Sequence, residues 1–230
     1  MTATATPISP AVLLRLLQLC SPALPVGAYA YSQGLESAVD RGWVWDEASA
    51  GAWILGLLNH VLRRLDLPVF ARLYSAWRAE DIEAARRWNA RLYASREAAE
   101  LQREDQHLGA ALARLLNDLC LQDAAPWRNA PRVCFATLFS LAAARWDIPL
   151  REAATGYAWA WTENQVIAAT RLIPLGQTAS QRLLVAAGPV IATAVVDGLA
   201  LADEDIGAAA PGLALAGALH ETQYSRLFRS

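Results

Sequence analysis

Proline and short polar residues recur along this chain where helices begin, and between them apolar residues fall at helical spacing with almost no two-residue alternation. That pattern leads to an all-α fold. Ser9-Pro10 reads as an N-cap followed by a first helical position, predicting a helix over Ala11–Cys20 that stops before Pro22, because proline lacks an N–H and fixes φ. A second helix is expected around 31–40, ending near Gly42. Asp46 then caps a long helix with Ile54, Leu57, Leu58, Val61 and Leu65 on one face, and Pro68 starts the next. Asp81 opens a charged stretch in which Glu83–Arg87 and Arg96–Glu100 have the i,i+4 spacing of helix-surface ion pairs. Leu108, Leu112, Leu115 and Leu119 should seat its continuation on the core, and 122–131 reads as an internal loop. Further helices are expected from Pro131 through Arg145, from Pro149 to about Thr170, and from Gln177 after a Pro174-Leu175-Gly176 break. Gly188-Pro189 should kink or divide the last of these. The expectation is a single domain over 1–230, an all-α bundle of about ten helices, with 1–8 and 220–230 as flexible tails.

The totals narrow the function classes. With 230 residues, 55% of them hydrophobic, the chain can bury a full core. A net charge of -2 and the absence of any basic block remove the electrostatic footprint of a nucleic-acid binder. All 20 basic residues are Arg, so a Walker P-loop, a pyridoxal-phosphate Schiff base and a kinase strand lysine cannot be built here. Cys20, Cys120 and Cys134 lie far apart, and Met1–Pro7 carries no basic leader, which together read as a cytoplasmic protein without an export signal. The apolar run Leu183–Val196, bounded by Arg182 and Asp197, is shorter than the ~20 residues of a spanning helix; it reads as a buried core helix, with no membrane role.

Chemistry-bearing sets are hard to find. His60, His107 and His220 are isolated, no metal-ligand spacing occurs, and no nucleophile elbow is present, so no metal, cofactor or catalytic residue is assigned. The 22 carboxylates are scattered. The enzymatic alternative is a small helical protein using Glu or His as general acid or base in a cleft between helices. Asn164-Gln165, set among Tyr157, Trp159 and Trp161, must find hydrogen-bond partners, either inside the fold or at an interface. Gln177 and Gln181 stand one turn apart and face the same way.

The two ends of the chain are the conspicuous segments. Residues 21–36, SPALPVGAYAYSQGLE, combine Pro22, Pro25 and Gly27 with Tyr29, Tyr31 and Leu35, a stiff and apolar path where a functionless linker would be polar and flexible. At the other end, 220–230, HETQYSRLFRS, place Tyr224, Leu227 and Phe228 at i, i+3, i+4, with Arg226 and Arg229 on the remaining surface. So short a stretch is marginal as a free helix. It either docks on its own core or orders under a partner.

Three separated segments, SPALPVG with YSQGLE, PLGQT with QRLL (residues 174–184), and HE with YSRLFRS, closely resemble the UreF family of urease accessory proteins, in family order and spacing; the stretch around Ser95-Arg96-Glu97, with Glu100 and Gln102, is also similar. The resemblance implies an all-α homodimer that is not itself a catalyst. It would bridge the accessory protein UreD (also called UreH) and the GTPase UreG, modulating GTP-dependent delivery of nickel to the urease apoprotein. Carried onto this sequence, Tyr29 and Arg226 match positions associated with assembly of the accessory complex. Arg171 stands near a surface implicated in GTPase contact, where the family often has Lys, and Ser180 stands where Gly is common. The partner-binding set expected on these grounds is Tyr29, Tyr31, Arg171, Gln177, Gln181, His220, Glu221, Tyr224, Arg226, Leu227 and Phe228.

Overall fold

A computed structural model describes residues 8–230, and the Met1–Pro7 segment discussed above lies outside them. Among the described residues there are ten α-helices and no strands. They are α1 (Pro10–Cys20), α2 (Leu35–Asp40), α3 (Glu47–Leu57), α4 (Leu67–Arg78), α5 (Ile82–Ala94), α6 (Ala99–Asp118), α7 (Phe135–Arg145), α8 (Leu150–Leu172), α9 (Gln177–Ala200) and α10 (Pro211–His220). The local start signals work as chemistry requires. Ser9 Oγ accepts the Val12 N–H, Asp46 and Ser49 form a reciprocal capping box, and Asp81 caps α5 through the Ala84 N–H at 2.8 Å.

Pro68 stands in the first turn of α4, as expected, but no break precedes it. A π-helical segment, Leu58–Asp66, joins α3 to α4, with the Leu67 N–H reaching back five residues to the Leu62 carbonyl. In an α-helix the carbonyl of Arg64 would be served by residue 68, which as proline has no N–H. It accepts instead from the Gly207 N–H, 3.0 Å away in the strap between α9 and α10. The five apolar residues expected to face inward here are all buried.

Several other expectations change. The 131–134 stretch is a turn, with Arg132 at φ +63°, so α7 begins at Phe135; its first N–H is bonded by Asp105 Oδ1 at 2.7 Å. Pro189 does not divide α9, which runs through it with an exposed flank on that side. Nor is α9 buried all round: it packs through Ala187, Ile191, Ala194, Val195 and Gly198, while Val185 is 76% exposed. Its 24 residues are also long and apolar enough, by length and composition, to cross a membrane, which the shorter sequence window had understated. Leu119 is exposed, and Leu116 takes its place in the core. Neither expected i,i+4 ion pair forms. Glu83 bonds Arg86 at 2.8 Å, and Arg96 and Glu100 each turn to other partners.

Helix α8 is the axis, packing against α1, α2, α4, α7 and α9. The main core holds an aromatic cluster of Phe70, Phe135, Phe139 and Tyr157, with edge-on, tilted and stacked ring pairs. A second, smaller core gathers Leu35, Ala38, Val44, Ile54, Val166, Ala169 and Leu183 around Phe228 of the tail. That second core is what draws the two ends of the chain together.

Candidate partner-binding surface

The opening segment leaves α1 in two tight turns. Ser21 Oγ accepts the Ala23 N–H, Gly27 adopts φ +80°, and Ala28–Ala30 form one 3₁₀ turn before Gly34 at φ +76° starts α2. Successive tyrosines diverge. Tyr29, at the tip, is 62% exposed, whereas Tyr31 is buried with its hydroxyl 2.9 Å from His107 Nδ1. Helix α8 fixes the loop from behind: Arg171 Nη1 donates to the Tyr29 carbonyl (3.2 Å), Asn164 Nδ2 to the Tyr31 carbonyl (3.2 Å), and Trp161 Nε1 to Gln33 Oε1 (2.5 Å). Asn164 therefore finds its partner inside the fold, while Gln165 is fully buried with neither amide atom bonded.

The tail is not the helical stripe that its spacing suggests. Residues 221–230 are turns and bends, so the three apolar side chains separate: Phe228 enters the second core, Tyr224 is fully exposed and Leu227 is 63% exposed. The Arg171 guanidinium stands 5.9 Å from the Phe228 ring centroid, tying α8, the Tyr29 turn and the tail to one side chain. Main-chain bonds complete the junction, from Arg229 N–H to the Ala30 carbonyl (2.8 Å) and from Ser32 N–H to the Ser230 carbonyl (2.9 Å).

Charges pin the same seam. His220 is not in a polar tail; it ends α10 with no solvent exposure, its Nδ1 2.6 Å from Glu100 Oε2 and its Nε2 3.0 Å from Glu36 Oε2. Glu36 also accepts the Leu227 and Phe228 N–H groups, and Glu100 accepts from Arg226 Nη1 at 3.0 Å. Both ring nitrogens face carboxylate oxygens, so His220 bridges Glu36 and Glu100. Arg226 further donates to the Gln223 and Glu221 carbonyls, so it folds the tail as well as capping it.

Beside this seam lies a cavity of about 150 Å³, bounded by α1, the opening loop, the π segment, α6 and α8. On its wall Arg96 makes a bidentate pair with Asp66 (2.6 and 3.1 Å) and a third bond to Asp105 (2.9 Å), while Tyr157 donates to Asp66. Burial works against the guanidinium's charge, but Asp66 and Asp105 outweigh it and hold Arg96 well above its ordinary value. Burial pushes the neighbouring Glu104 up to about 7, against bonds from Gln33 and Ser230 that favour its ionised form. Both Glu104 oxygens are occupied by those donors, at 2.7 Å each. Cys20, also on the wall, is pushed up to about 12 by burial and by Glu163. Among the described residues no three or more His, Cys, Asp or Glu side chains are arranged to hold a metal ion.

Tyr29, Tyr31, Arg171, His220, Glu221, Tyr224, Arg226, Leu227 and Phe228 thus belong to one region, in which Tyr31, His220 and Phe228 are interior supports. Glu221 sits at its rim, 3.7 Å from Arg103. Gln177 and Gln181 lie apart, exposed on the first turns of α9, with no side-chain bond linking them to the seam. Nearby Arg182 pairs with Glu47, and Ser180 is buried with its hydroxyl donating to the Gly176 carbonyl. The residues missed from sequence are the carboxylates Glu36, Glu100 and Glu104; their one signal was placement among apolar neighbours on the buried faces of α2 and α6.

The profile of the UreF family matches residues 44–188, more than half of the chain. The chain belongs to the UreF family. Its similarity to curated relatives extends over nearly the whole length: 54% identity to the urease accessory protein UreF of Alkalilimnicola ehrlichii, covering 94% of this chain and 95% of that one. The proteins of the same name from Chromohalobacter salexigens and Hahella chejuensis are 50% and 49% identical, each over 96% of this chain and over 96% and 99% of their own lengths.

Proposed function

We propose that this chain is a non-enzymatic scaffold in urease maturation, which as a homodimer in the cytoplasm binds UreD (UreH) through its joined ends and presents a composite surface to the GTPase UreG for nickel delivery to the urease apoprotein. The observation that supports this reading is the seam itself: Tyr29, Tyr224 and Leu227 are displayed on backbone already fixed by Arg171, His220 and Phe228. Large side chains held out on rigid backbone are anchors whose ordering cost is met before binding. Membership of the UreF family, whose curated members are named urease accessory proteins, supplies the biological setting. Gln177 and Gln181, separate from the seam, suit a second contact, which we assign to UreG.

Coexpression tests the reading. The intact chain should leave a sizing column with UreD, and with UreG when all three are present. Elution of this chain alone while both partners are soluble would reject it.

A further inference from the structure

Glu104 is where the two ends of the chain meet on one carboxyl group. Its Oε1 accepts from Gln33 Nε2 of the opening segment, and its Oε2 accepts from Ser230 Oγ of the tail, both at 2.7 Å. Both donors are neutral, and no cation bonds to it. Ser230, itself buried, lies over the carboxyl, so the tail helps to keep Glu104 from water.

The surroundings make a second buried negative charge costly. From the π segment comes Asp66, from α6 Asp105, and from the α5–α6 turn Arg96, a set already one charge negative before Glu104 ionises. The other charged groups nearby are committed: Glu100 with His220 and Arg226, Arg103 with Glu221, and His107 with the Tyr31 hydroxyl. From α8 come Tyr157, bonded to Asp66, and Glu163, another acid on the cavity wall. Glu100 has the Arg226 guanidinium at 3.0 Å, but Glu104 has no such partner.

We propose that Glu104 is a proton-dependent clasp, holding the C-terminal segment against the opening loop when protonated and loosening it when ionised. Lifting Ser230 removes its bond to Glu104 Oε2 and uncovers that oxygen. The sign follows from burial. The docked state raises the group's proton affinity above its free value, so docking is strongest below pH 4.5, weakens as pH rises from there to the docked-state value, about 7, and is then constant. This is a property of the chain alone and does not depend on what binds the seam.

Hydrogen exchange on the intact chain, from pH 4 to 9 with intrinsic rates corrected, reads the clasp directly. Protection of the 227–230 amides should fall by up to about tenfold per pH unit between 4.5 and about 7, the limit for one released proton, and level off above 7, while α7 keeps its protection. Glu104→Gln should abolish that slope. Tail protection that does not vary with pH, or a slope that survives Glu104→Gln, would overturn the proposal. Carboxyl-carbon NMR of the native chain repeats the test without a substitution. A Glu104 resonance titrating near 7 in step with the Phe228 amide supports the clasp, and one titrating at the ordinary glutamate value of 4.5 overturns it.

Discussion

Arg96 shows how much of this molecule depends on single buried charges. Removing it by Arg96→Met would leave Asp66 and Asp105 buried without a counter-charge, for which we expect a loss of about 3–5 kcal/mol in denaturant unfolding. Glu104 works with the opposite sign. Its proton is held to a higher pH in the folded chain than in the unfolded one, so stability should decline between pH 4.5 and about 7 by at most about 3 kcal/mol from this group. Glu104→Gln should flatten that decline in unfolding curves, and an unchanged pH profile would contradict the assignment. Arg226 and Tyr29 also part company at this scale. The family resemblance associates both with assembly of the accessory complex, but Arg226 also bonds Glu100 and two tail carbonyls within the fold. Arg226→Ala should therefore raise exchange at 224–230, whereas Tyr29→Ala, which removes an exposed ring, should not.

Among the elements, those written in local chemistry were legible in advance and those set by distant neighbours were not. Ser9-Pro10, Asp46, Asp81 and Pro149 act on backbone groups within a turn, and each marks an observed helix start. Pro68 carries the same mark and stands in the first turn of α4, yet the Arg64 carbonyl that it leaves unserved finds Gly207, 143 positions further along the chain, and no break precedes the helix. The Arg96–Glu100 spacing likewise gave way to Asp66 and His220, since a buried charge goes to whichever counter-charge the fold brings near. The tail's i, i+3, i+4 stripe failed because one apolar pocket, for Phe228, outweighs a short helix. The two ends were recognisable as unusual, but their mutual contact lay in Glu36, Glu100 and Glu104, three carboxylates among 22. Close packing of α9 on the π segment gives a test at this scale. A Cβ on Gly198 would lie 2.8 Å from the Arg63 carbonyl oxygen and 2.9 Å from Leu67 Cβ. Gly198→Ala should cost about 1–3 kcal/mol despite alanine's better helix propensity, seen as a lower Tm.

For the whole molecule, α8 serves as a rigid back onto which the opening loop, the tail and the second core are fastened. The outer face of α9 and the α1 residues Leu13, Leu14 and Leu17 remain exposed and apolar, beyond the seam's reach. The proposed partner surface is narrower: it joins the two ends, 198 positions apart at Ser32 and Ser230. It is tested most directly by the affinity for UreD of the intact chain, of Tyr29→Ala, of Tyr224→Ala and of the double variant. Each single change should weaken binding by about tenfold or more, as expected of an interface anchor, with Tm unchanged. Unaltered affinity in the double variant would show that the joined ends are structural and that the partner binds elsewhere.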